Sequence, residues 1–251
     1  MAKRLLRIPL HAAAVTLFLL LWQWASDSGA LDPTFFGSPT GIWHYLIDGF
    51  IVTGKLWLEL GYTVAGTLLS FFIGSAAAIL AGLVFTTAPA VERALAPYIS
   101  FLNAIPRIAL APLFLLWFGL GLGSKLAVGV SLTFFIVLSS TVAGIRGVSA
   151  DHLTLSRTLG ASGWQLFLKV TLPSAVPVLF SGLRLGLIFA MLGVVGAEII
   201  AAEHGIGQQL AYLQSTFNMN GVMGILVLMA GIGIVITGGM SWLERLLLRW
   251  Q

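Results

Sequence analysis

Residues Tyr62 to Phe85 read YTVAGTLLSFFIGSAAAILAGLVF, a run without a single charged side chain. A bilayer core about 30 Å thick is crossed by roughly 20 apolar residues in a helix, because each residue adds about 1.5 Å of rise. Within the run Gly74, Ala78 and Gly82 recur at every fourth position. That period gathers the small residues into one stripe, along which a neighbouring helix backbone can approach closely in lipid. The stretch therefore reads as a membrane-spanning helix packed inside a bundle, and it makes the chain an all-α integral membrane protein.

Working outward, five further apolar runs have spanning length: Ile8–Ala25, Pro97–Phe118, Leu126–Gly144, Ala175–Ile200 and Val222–Met240. Residues 1–251 are expected to form a single transmembrane domain of six helices. Pro106, Arg107 and Pro112 interrupt the third of these six spans. The chain is 58% hydrophobic and 9% charged, where a soluble domain carries about a quarter charged residues. Such a composition cannot cover a water-facing surface. The net charge of +4 is scattered over loops, so no basic stripe is available to nucleic acid. With no cysteine, disulfides, thiolate chemistry and cysteine metal sites are excluded.

Orientation follows from the basic residues of short loops. Lys3, Arg4, Arg7, Arg93, Arg146, Arg157, Lys169, Arg245 and Arg249 fall on one side. The other side holds Lys55 and Lys125 together with Asp27, Asp32, Asp48, Glu59 and Glu203. Both termini are expected in the cytoplasm. The start resembles a secretory signal, but its apolar core is too long for a cleaved one, and an uncleaved first span is expected.

The outer segment 27–61 is too polar to span. Ser38 before Pro39 is a helix start, with Ser at N-cap and Pro at N1. Ile42, Leu46, Phe50 and Ile51 then fall near one face, which predicts a helix lying on the outer membrane surface with Trp43 and Trp57 at headgroup level. Gly49 to Lys55 has the spacing of a nucleotide-binding loop, yet Leu56 stands where a hydroxyl should hold magnesium. The chain is not expected to bind nucleotide itself. Gly119 to Gly123 makes a tight outer turn.

The loop Arg146 to Ser174 has the signals of two short helices. Ser149 or Asp151 caps a first helix running to Leu159, and Gly160 ends it as the C′ residue. Ser162 caps a second, with Gln165 three positions on completing a capping box. Trp164, Phe167, Leu168 and Val170 give this arm apolar bulk, and Pro173 is expected to stop it. Chain physics alone leaves two uses open for such a hairpin: lying on the membrane as an interfacial element, or docking another protein.

The stretch Leu159-Gly160-Ala161-Ser162-Gly163-Trp164-Gln165-Leu166-Phe167-Leu168-Lys169-Val170-Thr171-Leu172-Pro173 closely resembles the coupling-loop motif of ABC importer permeases, with Gly160, Val170, Leu172 and Pro173 at the family spacing. Thr154, Leu155 and Ser156 stand where the family has a glutamate-alanine-alanine triplet, so the family's charge contact is missing. Phe36-Gly37-Ser38-Pro39, Ala104-Ile105-Pro106-Arg107, Ala111-Pro112-Leu113, Leu116-Trp117-Phe118-Gly119, Gly182-Leu183-Arg184, Ala197-Glu198 and Gly205-Ile206-Gly207 resemble the nitrate, sulfonate and taurine branch. The likeness covers most of the chain from Pro33 to Trp250.

The resemblance implies a type I ABC importer permease fold in the inner (plasma) membrane of a bacterium. Its partners would be a second copy of the chain, two ATP-binding subunits and a periplasmic or lipid-anchored substrate-binding protein. ATP and magnesium would be held by the partner subunits, leaving this chain with no cofactor and no metal. Leu159, Gly160, Ala161, Ser162, Trp164, Gln165 and Phe167 would meet the ATPase subunit. The implied cargo is a small anion such as a sulfonate, taurine or nitrate, with a neutral molecule such as a pyrimidine as the alternative. A secondary transporter working without ATP is the rival class. An enzyme is disfavoured, because no Ser/His, paired-Asp or His/Glu constellation falls within the spans.

Three ionisable residues lie inside spans: Arg107, Arg184 and Glu198. An arginine at the centre of a helix costs roughly 2.5–3.5 kcal/mol on insertion scales and needs a partner or water. Arg107 either faces the translocation path and meets an anionic substrate, or makes a structural contact; the residues leave both open. Arg184 is expected to be paired or to reach the interface. For Glu198, helix–helix hydrogen bonding is favoured over a gate. His11, His44, His152 and His204 are scattered and offer no metal constellation.

Overall fold

The computed structural model describes residues 7–247. In chain order its helices are α1 (Arg7–Asp27), α2 (Pro33–Phe36), α3 (Pro39–Ile47), α4 (Lys55–Thr87), α5 (Pro89–Ala104), α6 (Ala111–Phe118), α7 (Leu122–Arg146), α8 (Ala150–Thr158), α9 (Gly163–Leu166), α10 (Leu172–Ile200), α11 (Ile206–Ser215) and α12 (Met219–Leu247). Among the described residues, four helical segments are long and apolar enough to cross a membrane, namely α4, α7, α12 and the segment from Gly163 to Ile200 that contains α10. The bent pair α5 and α6 makes a fifth if it counts as one span. The expected first span lies within α1, whose Leu10, Phe18, Leu20 and Trp24 are exposed. Lys3, Arg4 and Arg249, three of the charges used for orientation, lie outside the described residues.

The centre of the bundle is α4, α7 and α10, and the small-residue stripes explain why. A methyl group added at Gly74 would stand 2.9 Å from Cβ of Thr133, and one at Gly82 would stand 2.9 Å from Cβ of Thr141. On α10, Gly182 meets Ser140 and Gly186 meets Val137. Ala78, Val128, Val137, Ala190 and Val194 are sealed between these helices. Without water to drive helices together, close backbone approach supplies the dispersion energy of association. Gly186→Leu would press its Cβ within 2.8 Å of Val137 Cγ2. It is expected to cost about 1–3 kcal/mol through overpacking. Gly231→Leu, at a position with open space around it, should change stability little. Thermal unfolding of the two variants in detergent compares them directly.

The third span is broken within the run Pro97–Phe118, which Pro106, Arg107 and Pro112 interrupt in sequence. Its two halves meet at 84°. Ile105 takes an extended conformation (φ −72°, ψ 128°), as the residue before a proline prefers. Pro106 contributes no N–H, so the helix cannot be carried through. A 3₁₀ turn, Arg107–Leu110, then leads into α6, with Pro112 in its first turn.

The outer segment starts as its sequence promises: Ser38 Oγ accepts from the Gly41 amide at 3.1 Å. Its apolar face, however, packs on the protein. Ile42 is buried, and Tyr45, Leu46 and Phe50 pack on a core of Leu56, Ile206, Leu210, Leu213, Val222 and Ile225. Trp43, Ile51 and Trp57 remain outward. The face expected to lie on the membrane is therefore an interface with α11 and α12.

In the hairpin, α8 ends as expected. Gly160 has φ +83°, its amide donates to Arg157 O, and the Ala161 amide donates to Ser156 O, both at 3.0 Å. This is the Schellman closure that a C′ glycine permits. Ser149 occupies the N-cap position without a side-chain cap bond. The expected stop at Pro173 does not occur. The chain stays helical from Gly163 through Ile200. A π-turn over Phe167–Thr171 widens the helix just before Pro173, and π-bulges of this kind absorb ladder defects.

Candidate functional site

Two places concentrate the side chains singled out above, at opposite ends of the bundle. The first is the hairpin. Its capping box is formed from both sides: Ser162 Oγ accepts from the Gln165 amide at 3.3 Å, and Gln165 Oε1 accepts from the Ser162 amide at 2.9 Å. Trp164 stacks near Phe167 with ring centroids 6.1 Å apart. Leu155, Leu159 and Trp164 are exposed, Leu159 at 79%. Between the two arms lies a cavity of about 420 Å³ bounded by Ser156, Leu159, Gly160, Ala161, Gln165 and Lys169, among others. Exposed apolar groups on a rigid, capped turn suit docking, since little conformational freedom remains to be lost. Thr154, at the place of the family glutamate, is exposed and carries no charge.

The second place is a buried polar junction where α4, α7, α10 and α11 meet. Glu198, near the end of α10, has a fully buried side chain and pairs with Lys125 Nζ of α7 at 3.1 Å. Thr63 Oγ1 of α4 donates to the same carboxylate at 2.8 Å, and the Gly207 amide does so at 3.0 Å. Glu59, one turn before Thr63, accepts from the Gly205 amide at 2.6 Å and lies 3.4 Å from His204 Nδ1. The Ile206 amide donates to Thr63 Oγ1 at 2.8 Å, and Lys125 also donates to the His204 carbonyl. Three free amides at the start of α11 are thus satisfied by side chains of other helices, as a buried helix end requires. The His204 ring stacks on Tyr62 at 4.6 Å and 6°.

Lys125 and Glu59, taken from the sequence as outer-loop charges, are buried in this junction. The count of loop charges placed Lys125 on the outer side, just after a glycine turn. The missed signal was Glu198: a buried carboxylate requires a cation, and the sequence puts only Lys55 and Lys125 on that side. The junction also accounts for Gly205-Ile206-Gly207. Gly205 has φ +124°, and a Cβ there would collide with the Glu198 carboxylate. A Cβ at Gly207 would stand 2.6 Å from Val195 O.

The three intramembrane charges separate accordingly. Arg184 pairs with Glu244 of α12, so the expected pairing is present. Glu198 is engaged in helix–helix bonding, as favoured above, with its side chain fully buried. Arg107 sits at the break of the third span. Its guanidinium carbon lies 4.0 Å from the centre of the Phe135 ring, and Nη2 donates to Asn103 Oδ1 at 2.8 Å and Leu102 O at 3.2 Å. Arg146 pairs with Glu92, tying the foot of α7 to α5.

A helical bundle with several apolar spans, tight glycine seams and one capped hairpin projecting from its end is a multi-pass membrane protein. Residues 70–249 match the family model described as binding-protein-dependent transport system inner membrane component, and the chain belongs to that family. The riboflavin transport system permease protein of Chloroflexus aurantiacus is 33% identical over 97% of this chain and 91% of its own length. The formylaminopyrimidine transport permease protein of Halalkalibacterium halodurans is 34% identical over 74% of this chain and 76% of its own length. The taurine transport system permease protein of Escherichia coli is 27% identical over 98% of this chain and 90% of its own. Among solved structures, an inward-facing methionine ABC transporter has a chain of the same fold, with TM-score 0.65 at 19% identity over 77% of this chain and 97% of that one. The expected family and type I importer permease fold are therefore established, and so is the multi-pass inner-membrane location.

Proposed function

We propose that this chain is the membrane-spanning subunit of an ATP-driven importer in which two copies form the pathway, two separate subunits bind ATP and magnesium, and a substrate-binding protein delivers the cargo. Each copy crosses the membrane six times, α1 and the bent pair α5–α6 each counting once, and both termini face the cytoplasm. The observation that carries this is the capped, exposed hairpin closed at Gly160 on a family permease fold. Leu159, Gly160, Ala161, Ser162, Trp164, Gln165 and Phe167 form its grip on the ATPase subunit. Without a charge at Thr154 that grip depends on shape and apolar contact. ATP closing the two ATPase subunits would draw the hairpins together and bias a two-state bundle towards opening outward.

The cargo is a small anion of the sulfonate, taurine or nitrate type, met in the path by Arg107. A neutral cargo is the second reading, favoured by the engagement of Arg107 with Asn103, Leu102 and Phe135. The chain alone in vesicles is expected to hydrolyse no ATP and move no solute. Adding an ATP-binding subunit and a binding protein from the same source should produce uptake that stops when ATP is withheld. Uptake driven by an ion gradient without any ATP-binding subunit would overturn the importer assignment. If the binding protein retains only neutral ligands, the anion assignment for Arg107 falls.

A further inference from the structure

The second arm of the hairpin and α10 are one helical rod from Gly163 to Ile200, roughly 57 Å long at about 1.5 Å per residue. Trp164 and Gln165 stand at one end and Glu198 at the other. A rod delivers a displacement to what it is fastened to. Along its length α10 makes few directional contacts: mostly close packing on α7 such as Gly186 on Val137, one bond from Thr133 Oγ1 to the Gly186 carbonyl at 3.2 Å, and the Arg184–Glu244 pair with α12. At its far end, by contrast, Glu198 holds α4 through Thr63, α7 through Lys125 and α11 through the Gly207 amide. Glu59 and Thr63 hold the Gly205 and Ile206 amides in turn. Directional bonds of this kind, sealed from water, are strong and fix register where apolar contacts do not.

The start of α11 is not the end of the chain of contacts. Ile206, Leu210 and Leu213 share a core with Leu56 of α4 and with Val222 and Ile225 of α12, and Tyr45 and Leu46 of α3 pack on it. Gln209 Nε2 donates to the Tyr45 hydroxyl at 3.4 Å, and Asn220 Oδ1 of α12 accepts from the Ser38 amide at 2.8 Å. The outer corner of the molecule is thereby tied to the junction.

We propose that Glu198 and Lys125, with Thr63 and Glu59, are positioning residues of the transport cycle. They form the joint through which movement of the hairpin is delivered along the Gly163–Ile200 rod to α11 and the outer helices. This rests on the importer function proposed above. The Glu198 carboxylate is fully engaged by protein donors, which assigns it to transmission and not to cargo binding.

The chain contains no cysteine, so introduced pairs can be labelled without background. Leu155→Cys in the hairpin and Tyr212→Cys on α11, both exposed, carry nitroxides in a chain diluted with unlabelled copies and reconstituted in nanodiscs, and pulsed EPR reads the distance between them within one copy. The otherwise unaltered chain is expected to give one narrow distribution. Two variants loosen the joint in different ways. Lys125→Met with Glu198→Gln removes both charges at nearly constant volume, and Gly205→Ala drives a methyl group into the Glu198 carboxylate. Each is expected to broaden or split the distribution. Each should also lower solute moved per ATP hydrolysed at least tenfold in the complex with its ATPase and binding protein, while hydrolysis continues. A joint that merely stabilises the fold would lower the melting temperature of the variants but leave distance and coupling ratio unchanged, and that result overturns the proposal. If the distribution changes as expected but even the unsubstituted complex shows no ATP-driven uptake, the joint stands and the importer assignment fails.

Discussion

Gly160→Val is expected to abolish most ATP-driven uptake while the complex continues to hydrolyse ATP. The physical cause is backbone conformation, not space. Nothing lies within 4 Å of where a Cβ would sit, but φ is +83°. A left-handed conformation costs a non-glycine residue about 1–2 kcal/mol, and a β-branched one suffers most. The hairpin tip is exposed, so it has little packing to hold the strained geometry. It would relax by giving up the Gly160 and Ala161 amide bonds to Arg157 and Ser156, and with them the angle between the two arms. A fall in uptake of about tenfold or more corresponds to a loss of roughly 1.4 kcal/mol in the docked geometry. The series should be graded. Gly160→Asn should retain most activity, because asparagine tolerates this region. Gly160→Ala should be intermediate. Gly163→Ala, at a helical position with open space, should be close to unaltered. Uptake and ATP hydrolysis measured together on reconstituted complexes decide the matter, and full uptake by Gly160→Val would remove the hairpin from the coupling mechanism.

The largest effect on stability is expected at Lys125. Lys125→Met leaves the Glu198 carboxylate buried with its cation gone. Breaking a buried pair by removing one partner costs about 3–5 kcal/mol, because an uncompensated charge stays in a medium of low dielectric. Adding Glu198→Gln to Lys125→Met should recover most of that loss, since the glutamine oxygen still accepts from Thr63 and from the Gly207 amide. Glu198→Gln alone should cost less than Lys125→Met alone. The ammonium it leaves still donates to the His204 carbonyl, and one carboxylate, Glu59, remains nearby. Melting curves of the four forms in detergent complete the cycle, with a coupling energy well above the few tenths expected of independent sites. Additive losses would mean that the two side chains do not stabilise each other.

Much of this architecture was legible in the chain because the bilayer imposes few solutions. An apolar run of sufficient length must be a helix, and glycines four apart must lie on one face of it; Tyr62–Phe85 therefore declared both its path and its packing side. The hairpin was legible for a related reason. Its caps at Gly160, Ser162 and Gln165 are local, made by residues within a few positions of one another, and local chemistry is written in local order. The family motif added what the hairpin is expected to dock against, an expectation that no spacing of apolar residues contains.

What only the tertiary structure decided is where residues far apart in sequence meet. Lys125 next to a glycine turn looked like a surface charge, and only the convergence of α7 with α10 turned it into the partner of Glu198. The apolar face of α3 looked suited to lipid, because periodicity states that a face is apolar but not what covers it. Pro173 looked like a stop, because a proline's cost depends on the helix before it; a π-turn absorbed the defect, and the hairpin arm continued into α10. In each case the sequence set the local preference, while the free energy of burial between distant segments chose the outcome.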